Sequence, residues 1–325
     1  MASLRFLFLL ILCLLTLAAS LRLGGAEVSF DALLNDGAGL LSGRAFRSLC
    51  AMAVGAALAV SGLMLQSLTA NPLADPGITG INAGAALLVV ATAQFVPDAS
   101  MSTLLIAAIC GAGLAGLTLW ALADGETGLG RDGIALRLPL AGLAIEAFCL
   151  SLAMMLILSD AETQARYVQW IVGAIPPVAR SESIPLVVIA VALVCGASLT
   201  GRLSLFTLGA DQSKSLGRDP RVTVSLTLGL VTVLSGASVA IAGPIAFVGL
   251  LVPFVVRRMA QTSLMAAYGH CVVLGASTLM ACDVLGRVIA RPGEVDAGII
   301  MALAGGIGLI IMISRLLPRD PKTRV

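Results

Sequence analysis

Charge is scarce in this chain. Asp, Glu, Lys and Arg together account for 12% of its 325 residues, against roughly 25% in an average soluble protein. Hydrophobic residues make up 58%, more apolar surface than a soluble domain can hide. Metal-binding side chains are thin too. There is one histidine, His270, and the seven cysteines (Cys13, Cys50, Cys110, Cys149, Cys195, Cys271 and Cys282) show no paired spacing and all fall in apolar runs. They read as small packing residues rather than disulfides or ligands. Bare zinc or iron would call for clusters of His, Cys, Asp or Glu, so any metal handled here must arrive already chelated. The formal net charge of +2 says nothing about nucleic acid, and no nucleic-acid partner is expected. A phosphate-cradling P-loop is also missing. The nearest stretch, Gly209 to Ser215, has Gln212, Ser213 and Lys214 where the pattern needs x-Gly-Lys.

What is there in abundance is near-charge-free runs of about twenty residues, each long enough to cross ~30 Å of hydrocarbon as a helix. The short alternating segments of a barrel are absent. Ten spans are expected: 4–23, 48–69, 78–96, 102–123, 136–159, 184–200, 223–242, 244–262, 264–289 and 296–314. Gly and Pro interrupt or border the third, eighth and tenth. The first also reads as a secretory signal peptide, with Arg5 before Phe6 to Leu17 and then Ala18-Ala19-Ser20. Keeping it gives the even span count that the charges favour. With the N-terminus inside, the cytoplasmic segments hold Arg5, Arg131, Arg137, Arg202, Lys214, Arg218, Arg221, Arg257, Arg258, Arg315, Arg319, Lys322 and Arg324, and the outer ones Arg22, Arg44, Arg47, Arg166, Arg180, Arg287 and Arg291. Thirteen cations against seven place both termini in the cytoplasm. The expectation is an all-α polytopic membrane protein with about ten transmembrane helices, one permease domain over 1–325.

The chain also repeats itself. Gly55-Ala56-Ala57-Leu58-Ala59-Val60-Ser61-Gly62 and Gly236-Ala237-Ser238-Val239-Ala240-Ile241-Ala242-Gly243 share Gly-Ala-x-x-Ala-x-x-Gly, each followed by a proline-containing break. One lies in span two and the other in span seven. An odd offset of five spans points the copies in opposite directions, an inverted repeat of spans 2–5 and 7–10. The plainer reading is that small-xxx-small helices are common in membranes.

Two strings follow these copies: Asn71-Pro72-Leu73-Ala74-Asp75-Pro76-Gly77, and Ala242-Gly243-Pro244-Ile245-Ala246-Phe247-Val248-Gly249-Leu250-Leu251-Val252-Pro253. Through them the chain resembles, over nearly its whole length, the permease subunits of ABC importers that carry iron-siderophore complexes, haem and vitamin B12. The resemblance implies a bacterial inner-membrane location. The implied partners are a second permease subunit (a copy or a paralogue), two separate ATPase subunits and a substrate-binding protein. This chain would bind no cofactor, with ATP and Mg held by the ATPase.

It also implies roles for particular residues. Segment 208–220, with Leu208, Gly209, Ser213, Leu216, Gly217 and Arg218, stands where relatives dock into the ATPase, although by itself it reads as a solvated loop. Asn71, Pro72 and Leu73 stand at the cytoplasmic gate, or else form a tight re-entrant turn. The matching gate loop near Ala135 and Leu136 is more apolar here. Arg44, Arg47 and Arg287 stand where relatives pair with glutamates of the binding protein. The usual Arg-Leu-Pro-Arg is Arg44-Ala45-Phe46-Arg47 here, and snorkelling at the interface is the plainer role. Phe254 replaces a usual histidine.

Two intramembrane acids need an account of their own. Asp283 precedes Arg287 by four residues, a favourable helical ion pair, which makes Arg287 structural as well as a docking candidate. Glu146 sits midway through span five, at a cost of at least ~2.5 kcal/mol on insertion scales. It either lines the substrate path or is a buried, hydrogen-bonded or protonated acid. The function that results is the transmembrane subunit of an ATP-driven importer of a metal chelate, ferric siderophore first, haem or cobalamin next. From another class, an ion-coupled secondary transporter would suit the inverted repeat and Glu146 but would leave 208–220 without a purpose.

Overall fold

The computed structural model describes residues 2–23, 39–96, 98–123, 131–159, 164, 171–175, 183–259, 263–291 and 293–316. Among them the chain forms helices and no strand: α1 (Ala2–Arg22), α2 (Gly39–Thr69), α3 (Ile81–Phe95), α4 (Met101–Ala123), α5 (Arg131–Ser159), α6 (Ile184–Phe206), α7 (Ala210–Ser215), α8 (Pro220–Ala242), α9 (Val248–Met259), α10 (Leu264–Ile289) and α11 (Ala297–Leu316). Of the cations used to orient the chain, Arg166, Arg180, Arg319, Lys322 and Arg324 lie outside the described residues.

Seven helices (α1, α2, α4, α5, α6, α8 and α10) are long and apolar enough to cross a membrane. The exceptions are informative. The third expected span yields 15 helical residues in α3 and the eighth only 12 in α9. At 1.5 Å per residue these are about 22 and 18 Å long, short of ~30 Å of hydrocarbon. The eighth expected span, 244–262, is thus corrected to a helix over 248–259.

The cause lies in the two breaks. α2 ends at Thr69, Ala70 turns into left-handed backbone (φ 53°), and the chain folds back alongside α2 before α3 begins. α8 ends likewise at Gly243 (φ 70°), and α9 begins after Phe247 (φ 69°). In each copy the break therefore consumes part of the membrane thickness, and the following helix starts at depth. Phe247 holds its unusual backbone because its ring packs against Gly305 of α11, where a Cβ would meet it at 2.4 Å.

Packing follows the same two-fold logic. α2 is the centre of the bundle, 83% buried over its apolar window, whereas α1 at the edge is 17% buried. Glycine contacts join α2 to α10, where a Cβ on Gly55 would stand 2.3 Å from the Gly275 carbonyl oxygen. Gly236 of α8 packs on Ala108 and Ile109 of α4. Under an inverted repeat α2 exchanges with α8 and α10 with α4, so these are the same contact made twice. Such close backbone approach is how membrane helices gain packing energy when the solvent is itself apolar.

Candidate functional site

The two signature strings meet. Gly62 of α2 lies against Gly249 in the first turn of α9, so closely that a Cβ on Gly62 would stand 1.9 Å from the Gly249 carbonyl oxygen. One turn further along α2, Gln66 Nε2 donates to that carbonyl at 3.1 Å. Asp75 closes the junction from the other side. Its Oδ1 accepts the Gly77 amide at 2.7 Å, and Oδ2 lies where a Cβ on Gly249 would be 2.8 Å away, beside the carbonyl of Leu58. Leu58 is three turns back from the end of α2, about 16 Å along the helix axis. Asn71–Gly80 is therefore re-entrant rather than a turn confined to the membrane surface.

Irregular backbone survives at such depth only if its polar groups are satisfied and it is enclosed by protein. Asn71 Oδ1 accepts the Leu73 amide at 2.9 Å. The Ala74 amide donates to Asn71 O (3.2 Å), the Thr79 amide to Asp75 O (3.2 Å), and Thr79 Oγ1 to Pro76 O (2.8 Å). Pro72 and Pro76 have no amide to satisfy. Ala74, Asp75 and Pro76 are buried, while Pro72 and Leu73 form an exposed tip. Asp75 Oδ2 has no hydrogen-bond partner although fully enclosed. Its carboxyl group faces the first turn of α9, the positive end of a helix dipole.

At the opposite end of α2 a charge cluster forms. Arg47 donates to Asp283 Oδ1 through Nε (3.0 Å) and Nη2 (2.8 Å), and to Glu294 Oε2 through Nη1 (2.8 Å). Arg287 Nη2 lies 2.8 Å from Asp283 Oδ2, an ion pair whose angle falls short of a hydrogen bond. Arg287 also donates to Ser20 Oγ (2.7 Å) and to the carbonyls of Ser20 (3.2 Å) and Leu23 (3.0 Å). Ser20 Oγ in turn shares a hydrogen bond with Ser48 Oγ at 2.7 Å. One aspartate thus ties α1, α2 and α10 together. Asp283 and Arg287 are 1% and 2% exposed, so Arg287 presents no face to a docking protein in this state, whereas Glu294 is 42% exposed on its side chain. Arg44 Nη1 donates to the carbonyls of Leu21 (3.1 Å) and Arg22 (3.2 Å), which end α1.

The loop between α6 and α8 holds α7, six residues long, with tight ends. The Arg218 amide donates to Ser213 O and the Gly217 amide to Lys214 O, both at 2.9 Å, and Gly217 is left-handed (φ 73°). This is a Schellman closure, which favours glycine at that position. Ser213 is fully buried and its Oγ donates to Arg218 O at 3.1 Å. Asp219 then caps α8, its Oδ1 accepting the Arg221 amide at 2.9 Å, with Pro220 at the first helical position. On this rigid unit Leu208 and Leu216 project outward, 59% and 57% exposed.

Glu146 is half-buried on α5, next to Ile145, which packs against Gly80 at the start of α3. One turn earlier, Gly142 lies against the Ile78 carbonyl and Thr79 of the break. The side chains of Ala135 and Leu136, the second gate stretch, lie outside the described residues, although their backbone is part of α5. Phe254 sits under the Arg258 guanidinium, 4.8 Å from ring centroid to carbon. Sequence reasoning missed Gln66, Ser20 and Glu294, and assigned Asp75 no task. The signal for Asp75 and Gln66 was their polarity inside an otherwise apolar stretch; Glu294 and Ser20 carry none, since the arginines they bind are 247 and 267 residues away. Among the described residues no group of three or more His, Cys, Asp or Glu could hold a metal ion.

The chain is similar to the Fe(3+)-citrate import system permease protein YfmD of Bacillus subtilis, 36% identical over 80% of this chain and 76% of that protein. The ferric enterobactin transport system permease protein FepD of Escherichia coli is 32% identical over 94% of each chain. The hemin transport system permease protein HmuU of Yersinia pestis is 31% identical over 95% of this chain and 94% of its own length. Among solved structures, a metal-chelate type ABC transporter in an inward-facing conformation superposes with a TM-score of 0.84 at 23% identity, covering 97% of this chain and all of that one; at that identity the likeness concerns the fold. One family model runs from residue 7 to residue 315, through both junction strings, the α7 loop and the Asp283 cluster, and by that match this multi-pass membrane protein belongs to the FecCD transport family.

Proposed function

We propose that this chain is the transmembrane subunit of an ATP-driven importer that moves a ferric chelate, a siderophore or citrate complex, across the bacterial inner membrane. It pairs with a second permease, a copy or a paralogue. Two ATPase subunits, which hold ATP and Mg, bind its cytoplasmic loops, and a binding protein delivers the chelate outside. The observation that carries this reading is α7: a six-residue helix closed at both ends by backbone hydrogen bonds, presenting two exposed leucines. A floppy loop cannot pass force, whereas a closed unit continuous with the cap of α8 can. The names of the relatives, which are import-system permeases for ferric citrate, enterobactin and hemin, support the substrate class.

In this reading the Asn71-Pro72-Leu73 tip is the cytoplasmic gate, and Gly62, Gln66 and Asp75 make it move with α9. Glu146, beside the junction, lines the chelate's path. Arg44 offers the docking charge, while Arg47, held by Asp283 and Glu294, braces the cluster beneath it. The test is co-reconstitution with the ATPase and the binding protein. The chain alone will hydrolyse no ATP. Leu208→Asp with Leu216→Asp will leave insertion intact but reduce chelate uptake, and its stimulation of ATP hydrolysis, at least tenfold, on the order of 1.4 kcal/mol of lost interface. Undiminished uptake by the double variant would remove α7 from the coupling path. Which ligand the binding protein takes, ferric siderophore, ferric citrate or haem, fixes the substrate.

A further inference from the structure

We propose that the cytoplasmic edge between α1, α9 and α10 is a binding site for the headgroup of an anionic phospholipid. Three guanidinium groups gather there. Arg5 of α1 donates to the carbonyl of Met259, the last residue of α9. Arg258, its neighbour in sequence, lies over the Phe254 ring with its guanidinium carbon 4.8 Å from the centroid, a contact that engages the π face and occupies none of its five N–H donors. Arg257 spends one nitrogen on Ser67 Oγ at 3.1 Å. Each retains donors, and a phosphodiester accepts such donors in pairs.

Among the described residues no carboxylate forms an ion pair with these arginines. α1, α2, α9 and α11 contain no Asp or Glu, nor do the residues between α9 and α10. The acid of α10, Asp283, is near the other end of that helix and already paired with two arginines. Asp75 is enclosed at Gly249 in the first turn of α9, about 14 Å of helix from Arg258. Beside the charge, α1 supplies an apolar rail: Leu4, Leu7 and Phe8 are 71%, 50% and 60% exposed. A site with cations at the cytoplasmic rim and bare hydrocarbon just below fits a lipid, whose acyl chain covers the rail while its phosphate meets the arginines; basic pockets between helices on this side are suited to such headgroups. A free phosphate would have no use for the rail. The site is separate from α7, which packs on α6 and α8.

The full-length chain, purified in mild detergent, tests this by native mass spectrometry and by thermal stability with added tetraoleoyl cardiolipin, phosphatidylglycerol or phosphatidylcholine. Cardiolipin and phosphatidylglycerol should be retained and should raise the melting temperature, less so at high salt; phosphatidylcholine and inorganic phosphate should do neither. Arg5→Gln with Arg258→Gln should weaken anionic-lipid retention on the order of 10- to 30-fold, at roughly tenfold or less per cation, and Arg221→Gln, on an exposed arginine elsewhere on this side, should not. Should the double variant misfold, Arg5→Lys with Arg258→Lys keeps the charge and should retain more lipid than the Gln pair. Equal retention of phosphatidylcholine, unchanged retention by the Gln pair, or equal loss in Arg221→Gln would each overturn the site. A shift produced as well by inorganic phosphate would overturn the lipid as its occupant. None of these readouts depends on uptake, so the proposal stands or falls apart from the transport reading.

Discussion

Asp283→Ala will unfold the end of the bundle where α1, α2 and α10 meet. It leaves Arg47 and Arg287 facing each other with no acid between them, one at 12% and the other at 3% side-chain exposure. Removing one partner of a buried ion pair costs on the order of 3–5 kcal/mol, because the orphaned charge stays desolvated. Here a single aspartate serves two arginines, so the upper part of that range is expected. Thermal unfolding of the solubilised protein, followed by size-exclusion chromatography, will show a lower midpoint or no folded peak. Asp283→Asn keeps the shape and loses the charge, and should fall between alanine and wild type. Adding Arg287→Met to Asp283→Ala should recover part of the loss by removing one orphan. If Asp283→Ala alone melts like wild type, the cluster contributes nothing to stability and Glu294 or solvent already satisfies Arg47.

The second large effect is expected at Gly62. Its substitution by valine would place Cβ 1.9 Å from a backbone oxygen, that of Gly249, with the Gly249 Cα at 2.4 Å. Backbone cannot rotate away as a side-chain tip can, so α2 and α9 must part by more than an ångström. Overpacking ordinarily costs about 1–3 kcal/mol; with backbone on both sides the cost should reach or exceed the upper figure. Separation would also break the Gln66 bond to Gly249 and uncover Asp75. Uptake should be abolished even where some protein inserts. The control is Gly229→Ala in α8, where nothing lies within 4 Å of the added Cβ. It should leave stability unchanged or raise it by as much as ~1 kcal/mol through helix propensity. Normal uptake by Gly62→Val would mean that the junction yields, and that its tightness is unrelated to transport.

How far these features could be read from the residues depends on the range of the interaction. Helix positions were legible because hydropathy is a local sum over about twenty residues. The repeated Gly-Ala-x-x-Ala-x-x-Gly was legible because it is a spacing. Neither shows depth. Two prolines mark Asn71–Gly80 as a break, but whether a break stays at the surface or folds inward is set by what encloses it, here Gly249 and Leu58. The same holds for the 12 residues of α9, expected as 19. The i,i+4 pairing of Asp283 with Arg287 could be read from their spacing, and the pair is present at 2.8 Å. The attachment of Arg47 to the same aspartate spans 236 positions and leaves no trace in either neighbourhood. Read alone, Arg47 is an interfacial cation; the fold makes it part of a lock.

The length of α2 has a mechanical consequence. It is an unbroken rod of 31 residues, about 46 Å long, and it bears Arg44 and Arg47 at one end and the re-entrant tip at the other. Its tightest contact, Gly62 on Gly249, lies nearer the tip. From that fulcrum the outer arm to Arg47 is about 22 Å and the inner arm to Thr69 about 10 Å. A tilt that displaces Arg47 by 2 Å would displace Thr69 by roughly 1 Å in the opposite direction. Whatever engages the outer charges acts with a mechanical advantage of about two at the inner tip, trading amplitude for force where a packed turn must be pried open.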